Sequence, residues 1–341
     1  MTKHKRIKLN MRAPLLYDLI FAYLYGNAPT RASVNDKCNV SKVTAGKVAK
    51  ALIESKIMCE RTFSLNSERP CAHLFIDDDF NTMVIDLSSP TFKMTLIDPN
   101  ASVKFQAICD YDSSLSFDDN MNIFLSRCGL KAKQSGYSFS AISVIYADGI
   151  RRAYLENADA QAILPPVDYK EKIDQLIYSV FHKRPITHLT VSSAIREAMR
   201  FGLTNTINGS EGVSYVFIGS RVSSFHVYAN GSITVCSPQN ILSEDEKRIL
   251  AKRHLMEKDE LDSIFIRIAR FMDSAFSPSI ILLESDRVCG DDSTTTKLCR
   301  EFALNGIIPP IIYCKDDNAP LYILGAIRSS VFLLAQKYII P

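Results

Sequence analysis

Residues 30–57 read Thr30-Arg31-Ala32-Ser33-Val34-Asn35-Asp36-Lys37-Cys38-Asn39-Val40-Ser41-Lys42-Val43-Thr44-Ala45-Gly46-Lys47-Val48-Ala49-Lys50-Ala51-Leu52-Ile53-Glu54-Ser55-Lys56-Ile57. Two helix starts are written into this stretch. Thr30 is a good N-cap for a short helix over 31–38, Asn39 and Val40 make a tight turn, and Ser41 caps a second helix from Lys42 to about Ser55. Within that second helix Ala45, Val48, Ala49 and Leu52 share one face at i, i+3, i+4, i+7 and point inward. Lys42, Val43, Thr44, Gly46, Lys47 and Lys50 point outward. Gly46 departs from a strong helix, since a mid-helix glycine costs up to ~1 kcal/mol relative to alanine. Either it allows close packing, or it leaves the helix weaker than usual.

The flanks complete a motif. Upstream, Leu15, Leu16, Leu19, Ile20, Tyr23 and Leu24 recur at helical spacing, an amphipathic helix stopped by Gly26-Asn27. Downstream, residues 57–62 predict a strand, 65–70 a turn and 72–76 a second strand. Three helices and a hairpin are the order of a winged helix-turn-helix. The third helix is narrow enough for a major groove and offers free N–H groups to phosphate at its N-terminus. Ser41, Thr44 and Gly46 are small enough to let the backbone approach the bases, and Lys42, Lys47 and Lys50 supply the salt-dependent phosphate attraction. Arg61 and Arg69 can set the wing on the flanking backbone. The stretch resembles the winged helices of bacterial repressors, which implies double-stranded DNA as partner and Arg31, Ser41, Lys42, Thr44, Lys47, Lys50, Arg61 and Arg69 as its contacts. The alternative is a three-helix bundle that joins subunits, its lysines merely solvated.

Charge agrees with the first reading. Residues 1–70 hold thirteen Lys/Arg and five Asp/Glu, a formal +8; the remainder holds 27 and 32, a formal −5. A basic segment on a larger acidic body suits a polyanion-binding module joined to a sensing or catalytic one. The 341 residues, 47% apolar and 23% charged, are ordinary globular composition with room for two or three domains. No apolar run reaches the ~18–20 residues of a membrane span. Lys3, Lys5, Arg6, Lys8 and Arg12 mimic the cationic start of a signal peptide, but Asp18 breaks the apolar stretch and no small-residue cleavage site follows. Nine cysteines, an odd number at wide spacing without C-x-x-C, argue against a disulfide framework and a thiolate zinc site. These features predict a cytoplasmic chain with reduced thiols, no metal and no membrane partner.

The body reads as a theme stated twice. Strands are expected over 82–87, 91–97, 103–109, 139–146 and 186–190, with helices over 118–130, 170–180 and 192–200. Strands over 213–218, 225–229, 232–236, 280–283 and 311–314 follow, with helices over 243–254, 259–274, 294–304 and 325–338. Two hairpin-led α/β halves suggest a duplicated body with a cleft between them.

That order behind a winged helix resembles the ROK family (repressors, open reading frames and sugar kinases), a branch of the actin-like ATPase fold. The resemblance covers nearly the whole chain in order and spacing. It implies an α/β chain with the winged helix in 1–75 and a two-lobed actin-like ATPase (ribonuclease H-like) body. The first lobe is 76–190, completed by the C-terminal helix 325–341; the second is 191–324. The motifs depart from the family. Asp86-Leu87-Ser88-Ser89-Pro90-Thr91 stands at the D-x-G-G-T phosphate loop, with Asp98 ending the hairpin, so serines replace both glycines. Val191-Ser192-Ser193-Ala194 stands where an Asn-Asp pair binds sugar and supplies the base, and a serine of unperturbed acidity cannot deprotonate a sugar hydroxyl. Gly219-Ser220-Arg221-Val222-Ser223 replaces the second glycine-rich phosphate loop, where Arg221 would fill the space left for phosphate. Glu284-Ser285-Asp286 stands at the adenosine loop. The family's zinc motif is absent, and His226 reads as a packed or solvated strand histidine.

The resemblance therefore implies a DNA-binding regulator, a repressor by type. Its body has lost phosphoryl transfer, needs no cofactor, forms a homodimer or larger homo-oligomer, and offers Asp86, Ser192, Ser193 and Gly219 as a candidate cleft for a sugar-like effector. The plainer role for Asp86, Ser192 and Ser193 is a turn or an N-cap. The competing functions are an ATP-dependent sugar kinase with unusual loops and a protein that only assembles partners.

Overall fold

The computed structural model describes residues 7–8, 12–25, 29–63, 70–88, 91–146, 169–202, 212–218, 222–228, 232–236, 241–246, 258–285, 299–307, 311–313 and 320–340. They form two compact units, 1–190 with 325–341 and 191–324.

The N-terminal helices follow their caps. α1 (Ala13–Tyr25) is succeeded by α2 (Arg31–Cys38), where Thr30 accepts from the Ser33 N–H at 3.0 Å and Ser33 Oγ accepts from the Thr30 N–H at 2.9 Å. This reciprocal pair satisfies two N–H groups that a helix start leaves orphaned. Asn39 ends α2 in the left-handed region (φ 50°), where a short amide side chain is tolerated. α3 (Lys42–Glu54) starts on Ser41, whose Oγ accepts from the Thr44 N–H at 3.1 Å. Ala45, Val48, Ala49, Ala51 and Leu52 are buried, and the Tyr23 hydroxyl donates to the Ala45 carbonyl at 2.9 Å. β2 (Met58–Phe63) and β3 (Cys71–Ile76) pair antiparallel, Met58 against Ile76 and Phe63 against Cys71. The pairings expected of a winged helix are thus present.

One expectation changes. α1 is covered on more than the single face of an amphipathic helix. Leu16, Leu19, Ile20, Tyr23 and Leu24 are buried, while Tyr17, Phe21 and Tyr25 form a row at i, i+4, i+8 on another side. The C-terminal helix meets that row: Tyr17 lies edge-on to Phe332 at 4.6 Å, and the Tyr25 hydroxyl donates to the Arg328 carbonyl at 2.5 Å. A two-residue parallel ladder joins the chain's ends, β1 (Ile7–Lys8) against β14 (Ile339–Ile340).

The first five-stranded sheet is ordered β6-β5-β4-β7-β8. β4 (Thr82–Leu87), β5 (Thr91–Ile97) and β6 (Val103–Asp110) form an antiparallel meander; β7 (Ala141–Tyr146) and β8 (Thr187–Thr190) extend it in parallel. α4 (Phe117–Gln134) and α5 (Tyr169–Phe181) seal a core of Met83, Ile85, Met94, Phe92, Phe124, Ile142, Val144, Ile173 and Ile177. α4 outruns its expected end, with Asp118 and Asp119 in its first turn and Lys131 and Lys133 in its last, each matched to the helix dipole.

The second unit repeats the plan. Its sheet is ordered β11-β10-β9-β12-β13, with β9 (Val213–Ile218), β10 (Val222–Val227) and β11 (Ile233–Cys236) antiparallel and β12 (Ile280–Ser285) and β13 (Ile311–Tyr313) parallel. α6 (Val191–Gly202) opens the unit, and α7 (Lys258–Phe276) packs Ile264, Phe265, Ile268 and Met272 on Val216, Ile218, Ile281 and Leu283. α8 (Leu321–Tyr338) starts ahead of its expected Gly325. Of the helices expected over 243–254 and 294–304, residues 244–246 and 299–304 are helical, Ser243 precedes the first as its cap, and the rest lie outside the described residues. The duplicated α/β body expected from the strand pattern is the observed one.

Asp98 closes the β5–β6 turn, accepting from the Asn100 and Ser102 N–H groups and from Lys104 Nζ, each at 2.9 Å. Burial works to raise its carboxyl, but these donors outweigh it and hold the group below the ordinary carboxylate range. A lowered folded-state value contributes stability above the unfolded-state value and loses it as pH falls through the folded one. Asp98→Asn should therefore cost about 1 kcal/mol near neutral pH, with the difference from wild type shrinking as pH falls below the ordinary carboxylate range. Urea melts across that range provide the check.

Candidate nucleic-acid interface

α3 presents a compact outward face. At 100° per residue Lys42, Gly46, Lys50, Val43 and Lys47 fall within an arc of about 140°. Lys42, Lys47 and Lys50 are all exposed. No ion pair involves Lys42 or Lys47 among the described residues, and Lys50 sits 3.6 Å from Glu54, one turn on, with both side chains in solvent. Such an exposed pair is worth a few tenths of a kcal/mol and yields readily to a phosphate. Ser41 and Thr44 hold each other at 2.8 Å over the N-terminus, and the first turn carries no acid. Free N–H groups, the positive dipole end and three cations share one surface.

Gly46 is not a packing glycine. A Cβ placed there meets nothing within 4 Å, so its surroundings are open. Gly46→Ala should raise the thermal stability of this segment by up to about 1 kcal/mol through helix propensity alone. A calorimetric scan that shows destabilisation would mean the site is crowded after all.

The arginines are placed differently from the lysines. Arg31 pairs with Glu60 at 3.0 Å; Arg61 pairs with Asp78 and lies 5.4 Å over the Phe75 ring. Arg69 lies outside the described residues. The structure thus groups Ser41, Lys42, Thr44, Lys47 and Lys50 on one helix and sets Arg31 and Arg61 in local ion pairs. The residue omitted from the sequence-derived contacts is Val43. It is 67% exposed, a large apolar side chain standing amid the lysines. Its position on the outward face was the available signal.

Of the candidate cleft residues, Asp86 belongs to the first unit and Ser192 and Ser193 to the second. Asp86, buried at the end of β4, accepts from the Ser88 N–H at 2.9 Å and the Ser88 hydroxyl at 2.5 Å. These two bonds fix the backbone at Ser88. Ser192 is buried and Ser193 half-buried in the first turn of α6. Gly219 and Arg221 lie outside the described residues. At the place expected of an adenosine loop, β12 continues through Ser285. Glu284 is buried there, accepting from the Tyr215 hydroxyl and, at 3.2 and 3.3 Å, from the Leu321 N–H that opens α8. Its carboxylate caps a helix rather than turning a loop. His226 is fully buried, stacked 4.8 Å from Phe276 and bonded through Nδ1 to Ser214, a packed histidine. No cluster of three or more His, Cys, Asp or Glu suited to a metal occurs among the described residues.

A polar chain in the first unit escaped sequence reading. His188 Nδ1 lies 2.7 Å from the Tyr146 hydroxyl, and its Nε2 faces Asp174 Oδ1 at 2.8 Å. Burial pushes the Tyr146 hydroxyl up, with Asp174 adding to it; burial also pushes His188 down against the opposing pull of Asp174. A neutral imidazole and a neutral phenol tie α5 to β7 and β8.

These elements define a class: an α/β body of two units with corresponding five-stranded sheets, led by three helices and a hairpin in the order of a winged helix. No protein-family model matches the sequence, and a search of curated proteins finds no match. Solved structures do match. A ROK family transcriptional regulator, a homolog of the E. coli MLC protein, superposes with a TM-score of 0.61 over 93% of this chain and 96% of its own, at 10% identity. The chain has the fold of that regulator. An inorganic polyphosphate/ATP-glucomannokinase from Arthrobacter sp. strain KM aligns at a TM-score of 0.49 and 13% identity over 73% of this chain and 98% of its own. A putative N-acetylmannosamine kinase from Listeria monocytogenes aligns at 0.47 and 12% over 76% and 100%. No helix among the described residues is long and apolar enough to cross a membrane.

Proposed function

We propose that this chain is a DNA-binding transcription regulator, a repressor by type, that lays α3 in the major groove of double-stranded DNA. The observation that carries the reading is the outward face of α3: Lys42 and Lys47 without ion-pair partners among the described residues, Lys50 in a weak pair, Val43 exposed and Gly46 open, on a helix with a capped N-terminus. Lysines of this kind set affinity and its salt dependence, while short and apolar side chains approach base edges. The regulator matched above supports it, since a likeness covering 93% of the chain leaves too few residues over to omit the first 75.

Arg31 and Arg61 join the interface by exchanging exposed carboxylate partners for phosphate, a switch of low cost at a surface. Arg69 is proposed to join them from the segment of sequence between β2 and β3. One winged helix reads few base pairs, so the chain works as a homodimer or larger homo-oligomer on paired half-sites. The body is read as a degenerate kinase. Ser192 and Ser193 stand where the family carries its Asn-Asp pair, and Glu284 is committed to capping α8. Neither hydroxyl does the work of a carboxylate base. What remains is dimerisation and recognition of a small sugar-like effector, which would act by favouring one of two arrangements of differing DNA affinity.

The test is a mobility-shift assay on duplexes enriched from a random pool, at two salt concentrations. Retention of a discrete sequence class supports the reading; absence of binding at low salt refutes it. ATP consumption with a panel of hexoses and N-acetylated sugars tests the kinase alternative, which turnover lost on Asp86→Ala would revive.

A further inference from the structure

We propose that Cys71 is a peroxide-reactive thiol and that His73 is its proton acceptor. Cys71 and His73 are two apart on β3 and so project from the same face of the strand. Cys71 Sγ lies 2.9 Å from His73 Nε2. Cys71 is exposed, whereas the His73 side chain is buried at 4% exposure. An immobilised imidazole against an accessible sulfur is the arrangement that activates cysteine nucleophiles.

Burial pushes Cys128 and Cys236 up to about 11 each and keeps peroxide from them. Cys299 is exposed but sits in a different unit, and serves as the accessibility reference. Cys59 stands opposite Phe75, four residues along the hairpin from Cys71, about 13 Å at strand rise. That span exceeds disulfide reach, so Cys59 cannot resolve an oxidised Cys71 without a backbone rearrangement.

The step balances with hydrogen peroxide as the oxidant. A sulfur lone pair attacks one peroxide oxygen; the S–O bond forms as the O–O bond breaks. The thiol proton passes to His73 Nε2 and on to the departing hydroxide, which leaves as water. Sulfur gives up two electrons, the peroxide takes them, and Cys71 becomes a sulfenic acid. This reactivity does not depend on the DNA-binding reading.

The experiment treats the reduced full chain with dilute hydrogen peroxide and dimedone, then quantifies labelled peptides by mass spectrometry over pH 6 to 9. Cys71 should be trapped at least tenfold faster than Cys299 and Cys59. Both His73→Asn and His73→Gln should lower the Cys71 rate about tenfold and change its pH profile, leaving the Cys299 rate unchanged. Equal rates at Cys71 and Cys299 in the wild-type chain overturn the proposal, whatever the folding of the variants. Unaltered Cys71 kinetics in both folded variants overturn it as well.

Discussion

Replacing Lys42, Lys47 and Lys50 together by alanine is expected to weaken duplex binding by roughly two to three orders of magnitude at 0.1 M salt. Each phosphate contact contributes a slope of about −0.9 to log affinity against log salt, so three lost contacts flatten it by about 2.7. Carried from 1 M, where screening removes the attraction, to 0.1 M, that slope is a loss of several hundredfold. The fold should hardly respond. The three side chains are exposed, and only Lys50 has an ion-pair partner among the described residues, the exposed Glu54. Alanine is a better helix former, and the lost pair costs a few tenths of a kcal/mol. An unchanged melting temperature beside a collapsed, flattened salt titration is the expected signature. A variant that keeps the wild-type slope would remove α3 from the interface.

The second large effect concerns Tyr23. Its ring has no solvent exposure, and its hydroxyl reaches from α1 to the Ala45 carbonyl in α3. Burial is the first cause that pushes this hydroxyl up, to about 12, so it stays a neutral donor at any working pH. Tyr23→Ala deletes an aromatic side chain between the helices and should cost about 3–5 kcal/mol, a large part of a domain's typical stability of about 5–15 kcal/mol. Amide protection across α1, α2 and α3 should fall together, and duplex binding with it, because α3 loses the helix that orients it. Tyr23→Phe keeps the ring and forfeits one hydrogen bond, a cost of about 1 kcal/mol. Hydrogen exchange and urea melts on the two variants separate packing from the hydrogen bond. A Tyr23→Ala chain that loses less than about 1 kcal/mol would show that α1 does not support α3.

The part of the candidate interface carried by α3 was legible before any coordinate. Thr30 and Ser41 are caps because of their own hydroxyls, and Ala45, Val48, Ala49 and Leu52 mark an inner face by spacing alone. The opposite face then follows, lysines included. The arginines were not legible in the same way. Arg31 and Arg61 are equally basic in the sequence, but Glu60 and Asp78 are brought beside them by the hairpin's packing and register. The polar chain Tyr146–His188–Asp174 joins three separate elements and leaves no spacing signature. The hydrogen bonds from Ser88 to Asp86 could not be read from the motif comparison that offers Asp86 as a ligand group.

Caps, periodicity and turn residues act within about one or two helical turns, so the chain's own order was enough to determine the three helices, the hairpin and both strand meanders. Contacts between residues some three hundred positions apart needed the three-dimensional arrangement. Tyr17, Phe21 and Tyr25 look like surplus apolar bulk on α1 until Phe332 and Arg328 are set against them. Ile7 and Lys8 look like a basic tail until Ile339 and Ile340 pair with them. Glu284 looks like a loop residue until the start of α8 arrives to be capped. Each of these depends on a partner outside the local window, met through packing or through a hydrogen bond that only the folded chain brings together.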